Sequence, residues 1–242
     1  MPMMSLRLLA CAGVVASAPN IVVFLTDDQD VMLGGAFPTT APGGATPLPR
    51  TRELLVEQGT TFTNFFVHTP ICNPSRSELL TGRLFHNLKR VGGAASAMHV
   101  DERAVHNFTF ARALAARGGY ATGLFGKYLN DMPASAPPGF DAWLANAGGD
   151  YVAPKFETAG LEDACGLADG GWNGTVDNYS TAVIGNCSIA WIERAVAGAD
   201  AADPAEQRAA RRPFFAYVAP KAAHEPFNPA PWYADAWDGA WP

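Results

Sequence analysis

The stretch Cys72-Asn73-Pro74-Ser75-Arg76-Ser77-Glu78-Leu79-Leu80-Thr81-Gly82-Arg83 decides how this chain is read. Pro74 suits the first turn of a helix, Ser75 to Leu80 can propagate it, and Gly82 can end it, so a helix is predicted with Cys72 at its N-terminal mouth. That mouth is an anion site. The first backbone N–H groups lack partners inside the helix, the helix dipole adds positive potential, and Arg76, one turn on, faces the same way. A nucleophile thus stands beside an anion clamp. A cysteine without such neighbours is more often a buried thiol or half of a disulfide.

Upstream, Asn20 to Thr26 is a continuous apolar run with Ile21-Val22-Val23-Phe24-Leu25 at its centre, the pattern of a buried parallel strand. Asp27 and Asp28, with Asp30 close behind, follow its carboxyl end, where ligands bind in open α/β sheets. Adjacent carboxylates repel, so keeping both ionised calls for a cation, and hard oxygen ligands suit Ca²⁺ or Mg²⁺; an acidic turn or helix cap is the plainer alternative. Residues 31–49 read as a Gly/Pro/Thr loop. A short amphipathic helix is expected over Thr51 to Gln58 and a strand over Thr60 to Val67.

Downstream, Phe108 to Arg117 reads as a helix stopped at Gly118-Gly119, and Tyr120 to Phe125 as a buried strand ending at Gly126-Lys127. Lys127 then falls in the same ligand-facing layer as Asp27 and Asp28, unless it is a surface lysine. Pro133 to Gly174 reads as irregular, with Trp143, Tyr151 and Trp172 as sugar-stacking faces or plain packing. Ser188 to Val196 carries a helical apolar stripe, residues 197–212 form an Ala- and charge-rich insert, and Pro213 to Val218 is a last buried strand with His224-Glu225-Pro226 just beyond it. Alternating strands and helices predict an α/β fold, a mostly parallel sheet flanked by helices.

The 242 residues, 48% hydrophobic and 17% charged, suffice for one globular domain with a sizeable core. A net charge of −6 argues against a general nucleic-acid binder. Arg7 followed by an apolar run to Val15 and then Ala16-Ser17-Ala18 reads as a secretory signal over residues 1–18, with an apolar first strand as the alternative. The run is too short to span a bilayer, so no membrane span is expected. Four N-x-Ser/Thr acceptors, at Asn107, Asn173, Asn178 and Asn186, fit a secreted or lysosomal route.

The string from Cys72 to Arg83 resembles the signature of the type I sulfatases, C-x-P-S-R-x-x-L-L-T-G-R, with every fixed position filled. The resemblance implies the alkaline-phosphatase-like sulfatase fold. It also implies that Cys72 is converted by a formylglycine-generating enzyme to formylglycine, whose hydrated aldehyde attacks the sulfur of a sulfate ester. Asp27, Asp28 and the modified Cys72 would be calcium ligands. Arg76 and Lys127 would neutralise the sulfate oxygens, and His224 would assist proton transfer. His86 and Asn87 occupy the place of a substrate-pocket histidine, or are simply solvated. Through Leu25-Thr26-Asp27-Asp28-Gln29-Asp30 and Gly126-Lys127-Tyr128-Leu129-Asn130 the chain is most similar to the N-acetylglucosamine-6-sulfatases, although Leu129 stands where many sulfatases carry a histidine.

With Cys11 leaving in the signal and Cys72 converted, Cys165 and Cys187 remain as a disulfide pair, or as two separate thiols. Members of that family are about twice as long, so residues 19–242 resemble a partial catalytic domain with its C-terminal part missing, including a second acidic pair and another lysine. The implied function is hydrolysis of sulfate esters on sugars, such as those of glycosaminoglycans. Two alternatives stay open: a phosphodiester or phosphonate hydrolase of the same superfamily, and an inactive remnant that binds sulfated glycan.

Overall fold

The computed structural model describes residues 18–29, 48–89, 99–130, 135–197 and 212–236. The expected signal, the loop after Asp28 and most of the 197–212 insert lie outside them. Six strands form one sheet among these residues: β1 (Ile21–Phe24), β2 (Ala121–Lys127), β3 (Ala142–Asn146), β4 (Lys155–Ala159), β5 (Gly170–Asn173) and β6 (Phe214–Ala219). Their spatial order is β1-β6-β2-β3-β4-β5. The first four in that order run parallel, while β4 and β5 extend the sheet as antiparallel strands.

The central strands are buried on both faces, which is why they read as unbroken apolar runs. Their side chains still alternate between two cores. Phe215 and Tyr217 of β6 and Leu124 of β2 pack on one face with Leu80 of α2 (Cys72–Thr81) and Ala111 of α4 (Phe110–Gly118). Phe214, Ala216 and Val218 of β6 and Phe125 of β2 pack on the other with Ile184, Cys187 and Trp191 of α6 (Ser180–Ala197). Each fully buried Leu, Ile or Phe contributes about 1.5–3 kcal/mol relative to exposure. The two layers therefore clamp β2 and β6 and fix where those strands end.

Local signals explain the helices that matter for the site. Thr109 caps α4 by accepting from the Arg112 N–H, and Gly119 closes it in a left-handed conformation at φ 65°. Gly82, at φ 67°, ends α2 in the same way. Gly126 is needed for a different reason. Its φ is 111°, and a Cβ there would collide with the Ala219 carbonyl of β6, so only glycine allows β2 to lie this close to β6 next to Lys127.

Several expectations need correction. Residues 60–67 form no strand: Phe62, Phe65 and Phe66 are exposed, Phe66 by 84%, and no strand among the described residues pairs with them. The helix expected over 51–58 begins earlier, with α1 (Pro49–Thr51) passing into a π-helical turn at Arg52–Val56, and its Leu54 and Leu55 are exposed. The segment read as irregular, 133–174, contains β3, β4, β5 and α5 (Glu162–Cys165). Pairing along the edge of β3 overrides the weak strand propensity of its Gly and Ala residues. Helix α6 begins at Ser180, one residue after the Tyr179 that packs beneath it, rather than at Ser188. Finally, β1 is an edge strand and only half buried, with Phe24 61% exposed.

Candidate active site

Strands β1, β6 and β2 end side by side, and the residues just past their carboxyl ends converge. The Leu25 N–H donates to Val218 at 2.9 Å and the Asp27 N–H to the Ala222 carbonyl at 3.1 Å, which ties the loop after β1 to the loop after β6. Helix α2 points its N-terminus at the same place. Asn73 accepts from the Asn130 N–H at 2.6 Å, holding that end of α2 against the residues that follow β2. Pro74 occupies a first-turn position, where its missing N–H costs nothing.

At the centre lies a buried ionic triad. Asp27 Oδ1 accepts from Arg76 at 3.0 Å and Oδ2 accepts from Lys127 Nζ at 2.8 Å, all three side chains being 3–4% exposed. Arg76 donates its other arm to the Lys127 carbonyl at 2.9 Å. Burial alone would raise the Asp27 carboxyl; Arg76 first and then Lys127 outweigh it and hold the group below its ordinary value. The carboxylate is therefore ionised at neutral pH. The cation that the Asp27-Asp28 pair calls for is supplied to Asp27 by the protein itself, and Asp28 is exposed at φ 55°.

Cys72 is a free, half-buried thiol, and its sulfur, a carboxylate oxygen of Asp27 and a ring nitrogen of His224 lie within 4.8 Å of one another. His224 Nδ1 is 2.7 Å from the Glu225 carbonyl, so Nδ1 carries a proton and donates. Its Nε2 lies 3.5 Å from Asp28. The backbone of the same residue is pinned as well: Tyr151 donates its phenol to the His224 carbonyl at 2.6 Å. Burial, followed by Tyr179, Asp27 and Asp28, pushes that phenol up to about 12, so it stays a donor.

Tyr151 stacks on Tyr179 with ring centroids 5.7 Å apart and lies under the Lys221 ammonium at 5.0 Å. Lys221 in turn donates to the Gly149 carbonyl at 2.6 Å. The role of Tyr151 was not legible in the sequence, where it counted only as a stacking face or packing. No local pattern marks a side chain that acts through a loop reached from two other elements.

The structure brings together Asp27, Asp28, Cys72, Arg76, Lys127 and His224. Among the described residues, no hydrogen bond or ion pair links His86 or Asn87 to that group, and their part in binding substrate stays a proposal. Both are exposed in a 3₁₀ turn after α2, where the Phe85 N–H is bound by Glu78, six residues or about 9 Å along the helix from Cys72. Trp143 is buried in the core against Tyr128 and Phe140, which leaves it no stacking face. Trp172 stacks on Phe156 and borders a cleft of about 360 Å³ together with Asn146, Lys155 and Glu157. Cys165 and Cys187 are joined in a disulfide with Cα atoms 5.4 Å apart. Asn107, Asn173 and Asn186 are exposed and Asn178 is half-buried.

Comparison with known proteins agrees with this architecture. The family model described as Sulfatase matches residues 19–240, nearly the whole chain. The chain belongs to the sulfatase family. It is 32% identical over 242 residues to the N-acetylglucosamine-6-sulfatase of Homo sapiens, an alignment covering 93% of this chain and 39% of that one. It is 31% identical over 217 residues to the extracellular sulfatase SULF-1 homolog of Drosophila melanogaster, covering 89% of this chain and 17% of that one. The crystal structure of Ps i-CgsB shares the fold at a TM-score of 0.62 and 20% identity, with 91% of this chain and 49% of that chain covered. This sulfatase-family chain therefore spans less than half the length of these relatives. No helix among its described residues is long and apolar enough to cross a membrane.

Two groups characteristic of the family must be tested against these residues. Formylglycine fits: Cys72 is unpaired, at the mouth of α2, and faces the triad and His224. Calcium fits poorly. It takes six to eight oxygens, as a rule, whereas the described residues offer the carboxylates of Asp27 and Asp28, and both oxygens of Asp27 are already bound to Arg76 and Lys127.

Proposed function

We propose that this chain is the nucleophile-bearing part of an enzyme that hydrolyses sulfate esters on sugars, of the N-acetylglucosamine-6-sulfate type. The observation that carries the reading is the placement of Cys72 at the N-terminus of α2, within 4.8 Å of Asp27 and His224, at the carboxyl end of the sheet. Formylglycine formed from Cys72 by the formylglycine-generating enzyme would supply, once hydrated, the oxygen nucleophile for sulfur. The N-terminal end of α2 favours an anion in front of Cys72. His224, whose Nδ1 donates to the Glu225 carbonyl, presents Nε2 for proton transfer, and Tyr151 keeps the backbone of that loop in place.

Asp27, whose carboxylate lies within 4.8 Å of the Cys72 sulfur, orients the two cations Arg76 and Lys127. Calcium is part of this reading only with oxygen ligands beyond the described residues. The relatives' names support a sugar sulfate as substrate and a secreted or lysosomal setting, for which glycans at Asn107, Asn173, Asn178 and Asn186 would be the mark.

The test is sulfate release from 6-sulfated N-acetylglucosamine. It compares the 242-residue chain with a version extended to the relatives' length, both made beside an active formylglycine-generating enzyme, with Cys72→Ala as the blank. Turnover is expected from the extended version and little or none from the 242 residues alone. Strong Cys72-dependent turnover by the short chain would show that the donors present suffice. Absence of turnover by the extended version would overturn the assignment, and faster cleavage of an aryl phosphonate would transfer it to phosphonate chemistry.

A further inference from the structure

A cleft of about 360 Å³ lies over strands β3, β4 and β5, next to the site. The strand register decides which side chains face it. Ala145 of β3 pairs with Glu157 of β4, Glu157 with Gly171 of β5, and Lys155 with Asn173, and cross-strand partners share a face of the sheet. Ala145 packs in the same core cluster as Leu80 of α2, so this is the face from which α2 brings Cys72 and Arg76. The small residues make the hollow. A Cβ on Gly171 would meet nothing nearer than a Glu157 carboxylate oxygen, at 4.0 Å, so the glycine leaves the space beside Glu157 open.

The cleft is joined to the site. Asn146 pairs with Lys127 in the parallel register and donates from its side chain to the Lys155 carbonyl at 3.2 Å, which places Lys155 two strand spacings, about 10 Å, from Lys127. One oligosaccharide can touch both. The side chains of Lys155, Glu157 and Asn173 make no hydrogen bond or ion pair among the described residues, so their donors and acceptors are open to a ligand. Lys155 and Glu157 cancel in charge. A uronate or sulfate set against Glu157 would be repelled, whereas the hydroxyls of an uncharged sugar can donate to its carboxylate and accept from Lys155 and Asn173.

We infer that the cleft over β3, β4 and β5 is a subsite for an uncharged pyranose, the neighbour of the sulfated sugar at Cys72, held through its hydroxyls by Glu157, Lys155 and Asn173. The inference rests on the sugar-sulfate reading for what occupies the Cys72 end. It makes the substrate an oligosaccharide rather than a single sulfated sugar, and Glu157 selects against a uronic acid in the neighbouring place.

The probes are 6-sulfated N-acetylglucosamine alone and disaccharides joining it, in both linkage orders, to galactose or to glucuronic acid. They are titrated by two-dimensional amide NMR into the 242-residue chain carrying Cys72→Ala, which leaves them uncleaved. The chain is made in a bacterial periplasm, where the Cys165–Cys187 disulfide forms and no glycan on Asn173 competes for the cleft. A galactose disaccharide in one of the two orders is expected to shift the amides of residues 155–157 and 171–173 and to bind about tenfold tighter than the monosaccharide. Lys155→Ala should remove that advantage and leave the monosaccharide's affinity unchanged. Glu157→Gln should erase the preference for galactose over glucuronic acid. Both residues are exposed, so neither change endangers the fold. Shifts near Lys127 with the monosaccharide report the sulfate reading separately. Equal affinities for monosaccharide and disaccharides, or no shifts at 155–157 and 171–173 with any disaccharide, would overturn the inference whatever the monosaccharide does.

Discussion

Replacing Lys127 by Met tests the triad most directly. The substitution keeps the length of the side chain and removes one of two cations from a carboxylate that is 3% exposed. Asp27 then retains Arg76 alone, at 3.0 Å, where it had a second partner at 2.8 Å. Breaking a buried ion pair costs about 3–5 kcal/mol, and the remaining Arg76 places this case near the lower end. Against a total stability of about 5–15 kcal/mol that is a large fraction. At about 2–4 °C per kcal/mol for a chain of this size, the melting midpoint should fall by about 6–12 °C.

Near-ultraviolet circular dichroism in urea, run on the native chain, Lys127→Met, Asp27→Asn and the double variant, would give the coupling energy. A coupling of about 2 kcal/mol or more is expected, and one within about 0.5 kcal/mol of zero would refute the triad as a stabilising unit. The pH dependence carries an independent signature. The folded-state value of Asp27 lies below its ordinary 3.8, so its contribution is present above that value and is lost as the pH falls through the folded one. Lys127→Met lessens the depression and should flatten the acid limb of stability.

Other substitutions test the supports of the site. Gly126→Ala forces a Cβ against the Ala219 backbone at φ 111° and should cost more than about 3 kcal/mol, seen as a collapse of soluble yield or of the urea midpoint. Replacing Cys165 and Cys187 together by Ser opens a link spanning 22 positions and should cost about 3 kcal/mol in the same assay, an unchanged midpoint refuting a structural disulfide. Tyr151→Phe deletes the phenol that holds the His224 carbonyl. A loss of about 1 kcal/mol is expected, with a shift of the His224 imidazole resonances in NMR; unchanged resonances would show that Tyr151 only packs. Leu80→Ala, fully buried on α2 in the core cluster that includes Phe215 and Tyr217, should cost about 2–5 kcal/mol by urea melt.

The sequence by itself determined those features whose causes are local. The α2 helix follows from Pro74 near its start and Gly82 past its end, and the burial of β2 and β6 from their unbroken apolar runs. The layer holding Asp27, Lys127 and the loop of His224 follows from the rule that ligands meet the carboxyl ends of parallel strands. Long-range partners decided everything else. Residues 60–67 have the composition of a strand and remain exposed where no strand among the described residues pairs with them, whereas Gly170–Asn173 becomes β5 because β4 offers an edge. That Asp27 is neutralised by Arg76 and Lys127, 49 and 100 positions away, could not be read from the chain, since its two aspartates in a row show only that positive charge is needed. Which group supplies that charge is a matter of distance in space, and the packing of α2 and β2 against β6 sets that distance.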